Sequence, residues 1–368
     1  MSGERRRSKR LWTTGSGTRR TGPCSNVPTS VPQQLRGVPF TTGRAKRLGV
    51  TARMLAGSRF RGVLHGVHVC ADVPDSALLR LDAALLLAPR DSFATHHSAA
   101  AVWGLPVCDP VRPHVGVGRG LRAPQVQGVS WHAYASPPSL RLVDGRLVGD
   151  PAVTFVQLAG TLSLLDAVIA GDALTRRGLV RPGDLVAAAA GFTGVTGLRV
   201  SRAAALVRPR VDSPMETWLR LLIVAAGLPE PVTNLDVHDA NGRWIARPDL
   251  LYPAYRVAIE YDGRHHDGET QRVDRDVFRN EDLAQAGWFV LIVHAKDLYV
   301  RPARTLERLV RALHNHGCVL GPVDDAWRYL GRPCSTGPWP GVTAAPPAPS
   351  SGRKYLPAGR GGAFSCPL

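Results

Sequence analysis

The chain has 368 residues, enough for two or three domains, and its 44% hydrophobic content can supply a sizeable core. The formal net charge of +17 is unevenly placed: residues 1–60 carry 13 Lys/Arg against one acid, whereas residues 213–316 carry 13 against 15. That asymmetry points to a polyanion-binding front and a cation-binding back. The N-terminus has no apolar stretch after its charged start, and no run of about 18 or more apolar residues occurs, so neither a normal signal peptide nor a membrane span is expected, and a cytoplasmic protein is. The six cysteines include no C-x-x-C pair, which fits reduced thiols.

In chain order, residues 1–35 are rich in Arg, Gly, Ser, Thr and Pro and read as a disordered basic tail, or as sequence upstream of the true start. Residues 36–75 predict a short helix over Gly43–Leu48, a turn at Gly49, and a second helix capped by Thr51 and running through Leu55. The alternation of Phe60, Val63, His65, Val67 and Val69 then predicts a hairpin. Helix, turn, helix and hairpin is the order of a winged helix-turn-helix. Arg44, Lys46, Arg47, Arg53, Arg59 and Arg61 would lie on its helices and wing and meet DNA phosphates. The other reading of this stretch is a small helical cap with solvated arginines.

Residues 76–210 predict a mostly helical middle domain. An amphipathic helix (ALLRLDAALLLAPR) and a small-residue helix (HHSAAAVWGLPV) come first, then short strand-like pieces (HVGVG, GVSWHAY, GRLVGD). Three helices follow: DPAVTFVQLAGTL, SLLDAVIAGDALTRRG and RPGDLVAAAAG. Asp150–Pro151 is an N-cap followed by an N1 proline. The adjacent His96 and His97 are poorly placed to share one metal, and no chemistry is read from this domain.

Residues 211–318 read as α-β-β-β-α-β-α. Ser213–Pro214 opens a helix ended by Gly227; VTNLDVHD, WIARPDLLY and YRVAIEYD are strands; QRVDRDVFRNEDLAQAG is a charged helix; WFVLIVH is an apolar central strand; ARTLERLVRALHNH is the last helix. Residues 319–368 form a Pro/Gly-rich tail expected to be disordered. The overall class is α/β (α+β) and multidomain.

The stretch IEYDGRHH carries the chemistry. By the period of two, Glu260 and Asp262 share one face of their strand. Asp249 ends the preceding strand, and an antiparallel hairpin brings it beside Glu260. Three carboxylates converging on an apolar sheet would cost several kcal/mol unpaired, and a divalent cation removes that repulsion. All-oxygen ligands favour Mg²⁺ or Mn²⁺ over zinc. The alternative is a solvent-capped pair of strand-end carboxylates with loop histidines.

Glu216 on a first helix, Pro248–Asp249, and Glu260-x-Asp262 together resemble the PD-(D/E)XK restriction-endonuclease fold. EYDGxxH, followed by Asp276, Arg279, Leu283 and Gly287–Trp288, resembles more narrowly the Vsr-like (very-short-patch-repair-like) domain of unknown function. The usual lysine, two positions after the acid, is Asp262 here; the Vsr-like branch also lacks it. The resemblance implies that Asp249 and Glu260 are metal ligands, that Asp262 is a ligand or orients water, and that Glu216 acts through water. It implies that His266, rather than His265, accepts a proton or contacts phosphate, and that Arg279 meets the scissile phosphate or pairs with Asp276. The front half, a winged helix followed by RGVLHGVHV, a long helix and HHSAAAVWGLP, resembles AbiEi-type antitoxins, which bind promoter DNA. The combined expectation is a Mg²⁺- or Mn²⁺-dependent endonuclease hydrolysing DNA phosphodiesters, delivered by a DNA-binding module, in defence or repair. The alternative is a non-catalytic AbiEi-type regulator with an inactive nuclease fold. A toxin or defence-system partner and a homodimer are the further partners this expectation admits.

Overall fold

The computed structural model describes residues 30–109, 111–118, 121, 123–263 and 281–334. The chain is mixed α/β and divides into two compact units, the first built from the N-terminal part with 110–137 and 144–147, the second from 95–109, 138–143 and 148 onward. No helix among the described residues is long and apolar enough to cross a membrane.

In the first unit, β1 (Phe40–Thr41), α1 (Thr42–Arg47), α2 (Ala52–Leu55), β2 (Phe60–Leu64) and β3 (Val67–Cys70) follow in order, and the strands pair as β1-β3-β2. Both short helices begin where a threonine hydroxyl satisfies an orphan amide: Thr41 accepts from the Arg44 N–H and Thr51 from the Met54 N–H. Leu35, Phe40, Ala45, Val50, Leu55, Phe60 and Cys70 form one core, with the Phe40 and Phe60 rings edge-on at 5.7 Å. Leu35 therefore belongs to the folded core, not to a disordered tail. Next come α3 (Ala77–Leu85), β4 (Phe93–Ala94), α4 (His96–Val102), β5 (His114–Val117) and β6 (Ser130–Ala133); of these, α4 belongs to the second unit. β4 pairs antiparallel with β5, and β5 parallel with β6.

Strands β7 (Leu140–Val143) and β8 (Arg146–Gly149) flank a turn at Asp144–Gly145, both at positive φ. Four helices follow: α5 (Pro151–Ala159), α6 (Leu164–Arg176), α7 (Pro182–Ala189) and α8 (Gly194–Leu206). The sequence predicts three of them. Helix α8 was hidden by its glycines, yet Gly197 is needed where it stands: a Cβ there would sit 2.4 Å from the Phe192 carbonyl oxygen. Helix α9 (Pro214–Ala225) is capped by the Ser213 hydroxyl and packs on α6.

The remaining elements are β9 (Val232–Thr233), β10 (Val237–His238), β11 (Trp244–Ala246), β12 (Leu250–Tyr252), β13 (Val257–Asp262), β14 (Phe289–His294), α10 (Ala295–Tyr299) and α11 (Pro302–Asn315). VTNLDVHD and WIARPDLLY are thus not single strands. Each breaks in two, at Asn234 (φ 45°) and around Pro248, so β10-β11 form a separate ribbon while β9 and β12 join the order β14-β13-β12-β9. Most of the expected charged helix over 271–287 lies outside the described residues; 281–285 is helical, and Leu283 is buried. The expected C-terminal tail is also structured at its start. The Asp324 N–H donates to the Ala226 carbonyl at 2.9 Å, and Trp327 is buried beside α9.

Candidate functional site

Helix α9 supplies the first candidate group. Glu216 lies in its first turn, buried, where its Oε2 accepts the Asp212 N–H and the Asn234 Nδ2–H, each at 2.8 Å. Burial pushes its carboxyl up to about 7; the Asp212 N–H, the Asn234 amide and the Ser213 hydroxyl oppose the shift, and the charge of Asp212 adds to it. Asn234 links this helix to the sheet, because its own N–H donates to the Asp249 carbonyl at 2.9 Å. Its left-handed backbone, which asparagine tolerates better than most residues, turns the side chain toward Glu216.

Strands β12 and β13 pair antiparallel with Leu250 opposite Ile259. One residue on, that register sets Asp249 across from Glu260. The Asp249 carboxylate accepts the Tyr261 N–H at 2.7 Å, which holds it at the edge of β13. Strand β14 runs parallel to β13 and brings His294 level with Asp262, with His294 Nδ1 at 3.4 Å from Asp262 Oδ2. His294 was absent from the sequence reading; its only signal was its place at the end of the apolar strand WFVLIVH. Gly263 follows directly, and a Cβ there would meet the Tyr261 ring at 2.9 Å, so a larger residue would displace that ring.

The acids therefore gather at one end of the sheet, as side chains at the carboxyl ends of parallel strands do. They do not form a tight triad: among the described residues no three carboxylates bring ligand oxygens within 4.8 Å of one another. Asp249 and Glu260 are the facing pair, Asp262 turns to His294, and Glu216 is held by its own donors. The oxygen-only pair matches the chemistry of Mg²⁺ or Mn²⁺, so these residues fit a hard divalent cation. His265, His266, Asp276 and Arg279 lie outside the described residues.

In the first unit, Arg44, Lys46, Arg47, Arg53 and Arg59 are exposed. Arg44 and Arg61 also have structural work: Arg44 donates to the Gln34 carbonyl at 3.2 Å and Arg61 to the Val73 carbonyl at 2.9 Å. Lys46 and Arg47 are thus the α1 cations best placed to meet a ligand.

The Glu216 environment yields a pH prediction. A carboxyl raised from its ordinary 4.5 to about 7 contributes stability below about pH 4.5, and this is lost as the pH climbs to about 7. Glu216→Gln keeps the neutral shape at every pH. The stability of wild type relative to E216Q is expected to fall by about 3 kcal/mol across that window. Urea midpoints of the two proteins over a pH series check this; parallel curves would contradict it.

Fold and site together define a mixed α/β protein whose small sheet carries acidic side chains at one open end. No family model matches the chain. It is 30% identical over 254 residues to the uncharacterized proteins MT2308 and Rv2248, from two strains of Mycobacterium tuberculosis, with 68% of this chain and 91% of each relative covered. The chain belongs to the family of these two proteins. The crystal structure of the RV2827C protein from Mycobacterium tuberculosis aligns at 18% identity with a TM-score of 0.33, over 46% of this chain and 71% of that one, too loosely to bear on fold or function.

Proposed function

We propose that this protein is a metal-dependent DNA endonuclease with a restriction-endonuclease-like, Vsr-like C-terminal part and a winged-helix DNA-binding front. The observation that carries the reading is the facing pair Asp249 and Glu260, with Asp249 held on the Tyr261 N–H and Glu216 linked to the same strand through Asn234. Asp249 and Glu260 would hold Mg²⁺ or Mn²⁺, which would supply Lewis acidity toward a phosphodiester and a more acidic water. Asp262, set against His294, orients water at the strand end. Glu216 can hold a proton near neutral pH. His266 is the proposed proton acceptor. The experiment is incubation of the purified protein with supercoiled, nicked, mismatched and single-stranded DNA in Mg²⁺, Mn²⁺ or EDTA. Cleavage that appears with the cation and disappears with EDTA supports the reading; none on any substrate defeats it.

The second reading is an AbiEi-type DNA-binding regulator, favoured by the exposed Lys46 and Arg47 on α1 and by the acid, not lysine, at position 262. It shares one prediction with the first. Lys46→Glu/Arg47→Glu is expected to weaken DNA binding by roughly tenfold or more and to lower the salt slope by up to about two, the share of two phosphate contacts. Gel shifts at several salt concentrations measure both quantities. An unchanged slope would move the DNA contact away from α1.

A further inference from the structure

Two cysteines that stand 226 positions apart meet in the second unit. The Cys108 N–H donates to the Cys334 sulfur at 3.1 Å, and the Cys108 thiol donates to the Cys334 carbonyl at 3.1 Å. Both residues are exposed, unlike the buried Cys70 and Cys318. The Cys334 end is pinned independently, because its N–H donates to Asp166 Oδ1 at 2.8 Å on α6.

We propose that Cys108 and Cys334 form a reversible disulfide that fastens the segment 319–334 to the body of the second unit. The segment is a strap. It crosses α9 through Asp324 and Trp327, and then α10, where Arg332 donates to the Tyr299 carbonyl at 3.0 Å and lies over the Tyr299 ring. Tyr299 in turn packs edge-on against Trp218 of α9 at 4.8 Å. Closing the bond at Cys334 would hold the far end of this strap, while α9 keeps the near end.

The reaction is thiol–disulfide exchange with a small-molecule disulfide. One protein thiolate attacks a sulfur of the small disulfide and expels one small thiolate. The second protein thiol, as its thiolate, attacks the mixed disulfide and expels the other. The protein loses two electrons and two protons, and the small disulfide leaves as two thiols. Partial desolvation, with the neighbouring Cys108 thiol, pushes the Cys334 thiol up to about 12. Attack by Cys334 is therefore slow at neutral pH and quicker as the pH rises. A pair of this kind, exposed and joined by exchange, is of the regulatory sort, not a permanent staple.

The test uses the full-length protein, incubated with excess oxidised glutathione at about pH 8.5, alkylated, digested and read by mass spectrometry without reduction. The expected result is a dominant peptide linking Cys108 to Cys334. It should be absent in Cys108→Ser and in Cys334→Ser, and retained in Cys70→Ser. Limited proteolysis within the strap should slow by roughly tenfold on oxidation, and dithiothreitol should reverse this. Cys108→Ala gives the same readout should the serine variant fold poorly. Dominant linkage through any other cysteine, a mixed glutathione adduct that never resolves, or strap cleavage indifferent to oxidation would each overturn the proposal.

Discussion

Asp249→Asn and Glu260→Gln are each expected to reduce metal-dependent DNA cleavage by a factor of roughly a thousand or more, the loss that follows when a charge-stabilising group at a phosphoryl centre is removed. The two residues face each other across β12 and β13, so each substitution removes one carboxylate of the proposed metal pair and leaves the strand pairing intact. Both changes are nearly isosteric. Asn at 249 keeps an oxygen that can accept the Tyr261 N–H, and Gln at 260 keeps the length of Glu and one of its oxygens. Both proteins should therefore melt close to wild type while Mn²⁺ binding, followed by calorimetry, is lost. In the same assay His266→Ala should lower turnover by roughly a hundredfold with little change in DNA affinity, and His265→Ala should do far less. Wild-type cleavage by either carboxylate variant would remove the metal assignment. Equal, small effects at the two histidines would pass the proton-acceptor role to Asp262 or bulk water.

Arg220→Ala is expected to destabilise the protein by about 3–5 kcal/mol, the range for stranding one member of a buried ion pair. Arg220 is fully buried on α9, where one arm donates to Asp172 Oδ2 at 2.9 Å and another to Glu230 Oε1 at 3.1 Å. Asp172, equally buried on α6, also accepts the Thr217 hydroxyl at 2.8 Å and the Arg208 N–H at 2.7 Å. Burial pushes the Asp172 carboxyl above its ordinary value, and the charge of Arg220 is the first force holding it down. Without Arg220 the carboxyl rises further, so the stability gap should be smaller at low pH, where Asp172 is neutral, and widen as the pH rises. Chemical denaturation at two pH values tests both the size and the direction. A loss under about 1 kcal/mol would mean that water replaces the guanidinium.

Local sequence determined the pieces whose signals are short-range. Ser213–Pro214 and Asp150–Pro151 start helices because each side chain can reach an amide three residues on, at Glu216 and Val153. Thr51 caps α2 for the same reason. The turn between Asp249 and Glu260 is short enough for strand register to set the two acids across from each other. Only the tertiary structure decided the rest. The break at Asn234, which sends one apparent strand into two sheets, depends on a bond to Glu216, and no alternation of apolar residues encodes that bond. Asp262 meets His294 because β13 and β14 run parallel, a pairing that periodicity cannot specify. Arg220 reads as the polar face of an amphipathic helix, yet it is buried because α6 offers it Asp172. Cys108 and Cys334, which by spacing form no motif, are brought together by the strap that returns over α9. A residue pattern states which face of an element avoids water; the partner on that face is chosen only when the whole chain packs.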